Sequence, residues 1–279
     1  FGLEYPVIQS RNPALIYASI SGFGQTGPYA HRPALDIIVQ AMGGIVSITG
    51  ELGGRPILVG ASLADVVAGL YCTIGILAAL QERATSGKGQ MLDISMLECQ
   101  IAMQTDIFAR YFATGEVPEA LGRRHIPSTP FQVYETKDSW VVVAITGPKT
   151  WPLFCAAIDR VDLIDDERYT SGWLRTEHHE ELDPVLSAAM RRKTTQEWLR
   201  VFSEMDIPCS PVNTIDTVVK NPQVVAREAI TQVTHPVLGK FRTANTPIRL
   251  SRTPARVEQP APDLGEHTDE VLSSIGLSE

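Results

Sequence analysis

The chain is poor in cysteine, and its four thiols never fall at metal or redox spacing. Cys72, Cys99, Cys155 and Cys209 are scattered through 279 residues with no CxxC pair. That argues against a zinc site or disulfide framework and fits reduced thiols in a cytoplasmic protein. Positive charge is also scarce. Lysine and arginine number 24 against 32 aspartates and glutamates, for a net charge of −8 with no basic cluster. A nucleic-acid partner is therefore not expected. No run is a clear membrane span; Leu63–Leu80 comes closest, but Asp65 and Thr73 interrupt it, and it reads as a buried helix of a soluble protein. Internal repeats and low-complexity tracts are absent, as are a P-loop, GxGxxG, GxSxG and HExxH. There is no initiator Met and no signal peptide, and Phe1 opens what reads as a helix already under way. A missing first segment is the expectation.

Against this background one residue stands out. Between Arg55 and Glu82 the only residue charged at neutral pH is Asp65. An ionised carboxylate on a core-bound element is costly unless something stabilises it, so chemistry is sought there first. A plainer explanation competes. Ser62-Leu63-Ala64-Asp65 matches a capping box, in which Asp65 would only bind the N-cap amide, and pattern alone favours that reading. The two are compatible, because a first-turn carboxylate also gains roughly 0.3–1 kcal/mol from the helix dipole and stays ionised.

The surrounding pattern is α/β. Leu15–Ile20 reads as a strand ending at Gly22-Phe23-Gly24, Asp36–Met42 as a helix stopped by Gly43-Gly44, and Ile57–Val59 as a short strand. Leu63–Ala84 has apolar residues at 63, 66, 67, 70, 71, 74 and 77, with small residues on the other face, so both faces are expected to pack closely. Gln90–Ile94 is a strand, and Ser95 with Glu98 caps a helix running to about Ala113. A polar link, Gly115 to Pro130, marks a boundary. Beyond it come a hairpin (131–136 and 140–145), helices at 151–158, 178–192 and 195–204, an extended 208–211, a helix from Pro222, β-like sequence around Gly239, a Pro-rich link at 254–264 and a last helix at 268–275. Alternating strands and helices imply a parallel sheet in the first part and a smaller α+β unit in the middle.

Other candidates have ordinary explanations. Asp36 opens an apolar helix, where helix-dipole stabilisation is the better account. The glycines of Ser21–Tyr29 could bring backbone to a ligand but are more often a plain loop. His125 lies beside Arg123 and Arg124 in a loop that is solvated or touches phosphate. Gly147-Pro148 is a substrate-covering loop or a strand-to-helix turn. His178 and His179 are adjacent on a helix and do not share a side for a metal.

Several segments together resemble one family. They are Asn12-Pro13-Ala14-Leu15-Ile16-Tyr17-Ala18-Ser19-Ile20-Ser21-Gly22-Phe23-Gly24, Gly27-Pro28-Tyr29, Gln40-Ala41-Met42-Gly43-Gly44, Ser62-Leu63-Ala64-Asp65, Thr85-Ser86-Gly87-Lys88-Gly89-Gln90, Pro208-Cys209-Ser210-Pro211-Val212-Asn213 and Leu264-Gly265-Glu266-His267-Thr268. In this order they resemble the family III CoA-transferases, the group of formyl-CoA transferase and the carnitine CoA-transferases. The resemblance implies an α/β fold. Its parts would be a nucleotide-binding-like large domain with a parallel sheet (1–118, first segment missing), a smaller α+β domain (119–222) and a C-terminal return to the large domain (223–279). It implies interlocked homodimers when full-length.

The resemblance also implies a site. Asp65 matches the catalytic aspartate, which carries the reaction through an aspartyl anhydride and an aspartyl-CoA thioester. Ala34, Leu35 and Asp36 match a stretch contacting CoA near its sulfur, with Leu35 where relatives usually have an aromatic. Gly147 matches a mobile glycine loop that is richer in glycine elsewhere in the family. The substrates would be an acyl-CoA and a carboxylic acid, with no bound cofactor, metal or membrane. The related α-methylacyl-CoA racemases resemble a His/Asp proton-transfer pair, but Asp36 stands where the histidine would, which favours transfer. A racemase-type isomerase and a catalytically inactive fragment are the alternatives.

Overall fold

A computed structural model describes residues 2–125 and 128–277. Phe1, where the sequence reads as already helical, lies outside them. The first helix, α1 (Tyr5–Arg11), instead starts at Tyr5 with a proline in its first turn, where the missing N–H would have no partner in any case.

The chain divides into two compact units, residues 1–210 and 211–279. The first begins β1 (Tyr17–Ser21), α2 (Asp36–Met42), α3 (Leu63–Ser86), β2 (Met91–Ser95), α4 (Met96–Met103) and α5 (Thr105–Thr114). β1 and β2 pair in parallel, Tyr17 opposite Met91 through Ser21 opposite Ser95. A parallel pair needs a crossover, and α2 and α3 supply it. α3 stops where Gly87 takes the left-handed conformation (φ 73°) and donates its N–H to Arg83 O. The chain can then turn into β2 only because Gly89 has no side chain; a Cβ there would collide with the carbonyl of Leu15. α4 is capped by Ser95, whose hydroxyl accepts from Glu98 N.

The rest of this unit is β3 (Phe131–Glu135), β4 (Trp140–Ala144), α6 (Thr150–Ala157), α7 (Gly172–Glu177), α8 (His179–Met190), α9 (Thr195–Glu204) and, as the chain leaves it, β5 (Cys209–Pro211). β3 and β4 form the expected antiparallel hairpin, and the strand order is β3-β4-β5. Asp138 at the hairpin turn accepts from Thr195 N (2.8 Å) and from the Thr136 hydroxyl (3.0 Å), tying the turn to the start of α9. α9 begins with a complete capping box between Thr194 and Glu197.

Two apolar cores form within this unit. One gathers Val39, Ala64, Ala68, Met96 and Cys99 around the crossover. The other joins the hairpin to α6, α8 and α9 through residues such as Tyr134, Phe154, Leu186 and Trp198. In it the Trp198 ring stacks on Phe202 with centroids 5.1 Å apart, and its indole N–H donates to Met190 O.

The second unit contains α10 (Ile215–Val218), α11 (Pro222–Ala226, capped by Asn221), β6 (Ile230–His235), β7 (Gly239–Ala244) and α12 (Thr268–Ser274). β6 and β7 form an antiparallel hairpin closed at Gly239 (φ 71°). Val233 is its one buried large apolar side chain among the described residues.

α3 departs from the close packing on both faces that its pattern predicts. Its small face is buried at Ala64, Ala68, Cys72 and Ala79, against α2 and α4. Its large apolar stripe is open: Val66, Leu70 and Leu77 are each 60% exposed and Ile74 61%. Small side chains let neighbouring helices approach, and nothing in the described unit faces the other side. By length and composition α3 could also cross a membrane, with 22% of that window buried.

Candidate active site

The site is built where α2 meets the start of α3. Leu35 is extended (φ −135°) and exposed, and it delivers Asp36 to the first turn of α2. Asp36 Oδ1 accepts from Ala64 N at 2.8 Å, and its Oδ2 accepts from Gln40 Nε2 at 2.7 Å. Asp36 therefore caps α3 from outside that helix. Helix starts leave unpaired N–H groups, and a carboxylate is a strong acceptor for one of them.

This overturns the capping box read at Ser62 and Asp65. Ser62 makes no side-chain cap bond, and its backbone (φ −71°, ψ 69°) is not the extended form of a serine cap. The Asp65 carboxylate has no hydrogen bond or ion pair to any described residue. It is exposed in the first turn of α3, where the helix dipole presents its positive end. The expected desolvation of a buried carboxylate does not arise in this chain, because water reaches the group.

Gln40 is fully buried on α2. Its Oε1 accepts from Val59 N at 3.0 Å, and its Nε2 donates to Ala61 O at 3.2 Å as well as to Asp36. An amide side chain has two donor hydrogens and an acceptor oxygen, and all are engaged here. The segment read as a strand at Ile57–Val59 is not one. The Gln40 side chain takes the Val59 backbone bond that a neighbouring strand would take.

Ala34 lies against Gly22, where any side chain would run into the Ala34 methyl. Leu97 N donates to Gly22 O at 3.1 Å. The glycine loop after β1, residues 34–36 and the start of α3 are thus drawn together. Asp36 reaches the residue before Asp65 through Ala64 N, and Ala34 packs against the core that contains Ala64.

Gly147 does not join them through any hydrogen bond. It forms the turn from β4 to α6, where the Thr150 hydroxyl donates to Gly147 O at 2.9 Å. His125 packs on the Phe131 ring, and the neighbouring Arg123 pairs with Asp183 at 2.7 Å. His179 is hydrogen-bonded to Gln132, and burial, helped by the Arg124 charge, lowers its pKa. No group of His, Cys, Asp and Glu among the described residues could hold a metal ion.

Gln40 falls within one of the segments that carry the family resemblance, with no role of its own assigned from sequence. The available signal was an amide one helical turn beyond Asp36, set in the apolar run Ile37-Ile38-Val39 and Ala41-Met42.

A parallel β-pair, its helical crossover and an unbonded carboxylate at the mouth of the longest helix make this a mixed α/β protein. A solved structure of a CaiB/BaiF family protein from Brucella suis matches with a TM-score of 0.84 and 30% identity, covering 98% of this chain and 71% of that one. The chain belongs to CoA-transferase family III, whose family model matches residues 1–268. It is 33% identical over 274 residues to the succinyl-CoA:glutarate CoA-transferase of Mus musculus, covering 98% of this chain and 63% of the relative. It is 35% identical over 275 residues to the succinate–glutarate CoA-transferase of Agrobacterium fabrum, covering 99% of this chain and 69% of the relative. An acetyl-CoA:oxalate CoA-transferase from Acetobacter aceti is 34% identical over 267 residues, 67% of its length. The chain thus spans about two thirds of the length of these relatives.

Proposed function

We propose that this chain is the Asp65-bearing part of a CoA-transferase that moves CoA from an acyl-CoA donor to a carboxylic acid acceptor. Asp65 Oδ attacks the thioester carbonyl of the donor, the C–S bond breaks, and CoA leaves as its thiolate. The thiolate attacks the aspartyl carbonyl of the mixed anhydride, giving aspartyl-CoA and releasing the donor acid as a carboxylate. The acceptor carboxylate attacks aspartyl-CoA, forming a second anhydride and freeing the thiolate again. The thiolate attacks the acceptor's acyl carbon, and Asp65 returns as a carboxylate. One activated bond replaces another at each step, so no further energy source is consumed. Coenzyme A enters as substrate, and no separate cofactor is proposed.

The observation that carries this reading is the state of Asp65 in a chain of this family. Its carboxylate is unbonded and solvent-accessible, while the first turn of α3 is capped at Ala64 N by Asp36 instead. A nucleophile must keep its lone pairs free, and a structural cap cannot. Asp36 accepts two N–H bonds, neither of which needs a proton on it, and this supports transfer over α-proton exchange.

The acids are proposed as dicarboxylates or similar small acids, the kind in the relatives' names. Ala34, Leu35, Asp36 and Gly147 are proposed to line the CoA and substrate site. The full-length enzyme is proposed to be an interlocked homodimer, with the open stripe of α3 covered there rather than by lipid. Four free cysteines fit a reducing compartment, and a cytoplasmic location is proposed.

The test is trapping. Full-length enzyme is incubated with acyl-CoA and hydroxylamine, digested and read by mass spectrometry. Conversion of Asp65 to its hydroxamate is the expected result; labelling elsewhere, or none during turnover, overturns the mechanism.

A further inference from the structure

Gln40 opens the segment Gln40-Ala41-Met42-Gly43-Gly44, to which no chemical role was assigned, and its side chain makes several hydrogen bonds beside the site. It is fully buried, and it joins three pieces of chain. Through Oε1 and Nε2 it holds Val59 and Ala61, in the last stretch of the loop that leads into α3. Through the same Nε2 it orients Asp36, whose other oxygen holds the amide of Ala64. Ala64 is the residue before Asp65. Two side chains on one face of α2 thus fix the loop and the first turn of α3 at three backbone points.

The rest of the loop makes few such bonds. Leu63 N reaches Ala61 O, Val66 N reaches Ser62 O, and Ser62 offers no side-chain cap. Without the clamp, the first turn of α3 would have little to keep it from fraying, and Asp65 sits in that turn.

We infer that Gln40 is a positioning residue for the reaction: it acts through Asp36 and the 59–64 loop to aim the Asp65 carboxylate. The inference rests on Asp65 being the nucleophile. Gln40 itself is buried beneath the loop and is not assigned any contact with substrate. Misplacing a nucleophile by about 1 Å costs on the order of 10²-fold in rate, whereas binding through other parts of a large substrate is unaffected.

A control exists in the same structure. Gln104 is also a buried glutamine, 5% exposed, and its Nε2 donates to Gly43 O and Gln100 O. It touches neither the loop nor Asp36.

The experiment compares Gln40→Met, Gln40→Glu, Gln104→Met and Asp65→Asn in the full-length enzyme, assayed well below each variant's melting temperature. Gln40→Glu keeps the volume and the acceptor for Val59 N but loses both donors, so it serves if Gln40→Met does not fold. The expected result is a kcat lowered about 10–100-fold in the Gln40 variants, with KM for acyl-CoA within about threefold of wild type. Hydroxylamine labelling of Asp65 should slow by the same factor. Gln104→Met should lower the melting temperature and leave kcat within about twofold. If the Gln40 variants turn over like wild type, or no more slowly than Gln104→Met, the positioning role is wrong; loss of turnover in Asp65→Asn would then leave the nucleophile standing. If Asp65→Asn itself turns over like wild type, both fall.

Discussion

Replacing Asp65 with asparagine should separate chemistry from stability. The side chain has no hydrogen-bond or ion-pair partner among the described residues, so no buried group is left unsatisfied. The backbone of the turn is held by Asp36 on Ala64 N, which the substitution does not touch. The stabilisation lost is the interaction of a first-turn charge with the helix dipole, about 0.3–1 kcal/mol. For a protein of this size that shifts the melting temperature by roughly 1–4 °C. The effect on turnover is of another order. An amide cannot form the anhydride, and loss of a covalent nucleophile typically costs about 10⁴-fold or more, some 5.5 kcal/mol of barrier. The assay is thioester exchange followed by chromatography on full-length protein, paired with thermal unfolding. Turnover within about tenfold of wild type would refute the nucleophile. A melting temperature lowered by 10 °C would refute the claim that Asp65 bears no structural load.

Other consequences follow from the second core. Thr194→Ala breaks the capping box of α9 and should cost about 1 kcal/mol in denaturant unfolding. Trp198→Ala removes a fully buried ring, its stack on Phe202 and its bond to Met190 O, for a loss of about 3–5 kcal/mol by the same measurement. Burial raises the Cys155 thiol to about 12, so in native protein it should resist iodoacetamide at pH 8–9 while unfolded protein reacts, as read by peptide mass. The raised value has a sign for stability. The folded state favours the neutral thiol, so this contribution is full below the ordinary thiol range and declines as pH rises toward 12. Cys155→Ala should flatten part of the alkaline fall in melting temperature.

The regular elements were legible because local patterns sufficed. Asp36–Met42 stops at two glycines, Thr194 and Glu197 announce α9, and the hairpin at 131–144 alternates around a polar turn. Asp65 was visible as the lone charge in a long apolar stretch. What failed depended on partners distant in sequence. The Ser62 capping box matched its motif, yet Ser62 makes no cap bond, and the turn is capped at Ala64 N by Asp36, 28 positions away. Ile57–Val59 had strand composition, but its ladder partner is the Gln40 side chain, 19 positions away.

The amino-acid order alone thus settled α2, α9 and the β3–β4 hairpin, and that a solitary acid lies at the head of the longest helix. Those are questions of local backbone preference and apolar spacing, which short windows contain. Folding in three dimensions decided that Asp36 rather than Ser62 caps that helix, that Asp65 is left unbonded, and that one face of α3 stays open. These are competitions among donors, acceptors and apolar surfaces for the same partner, and only the distances in the folded chain choose the winner.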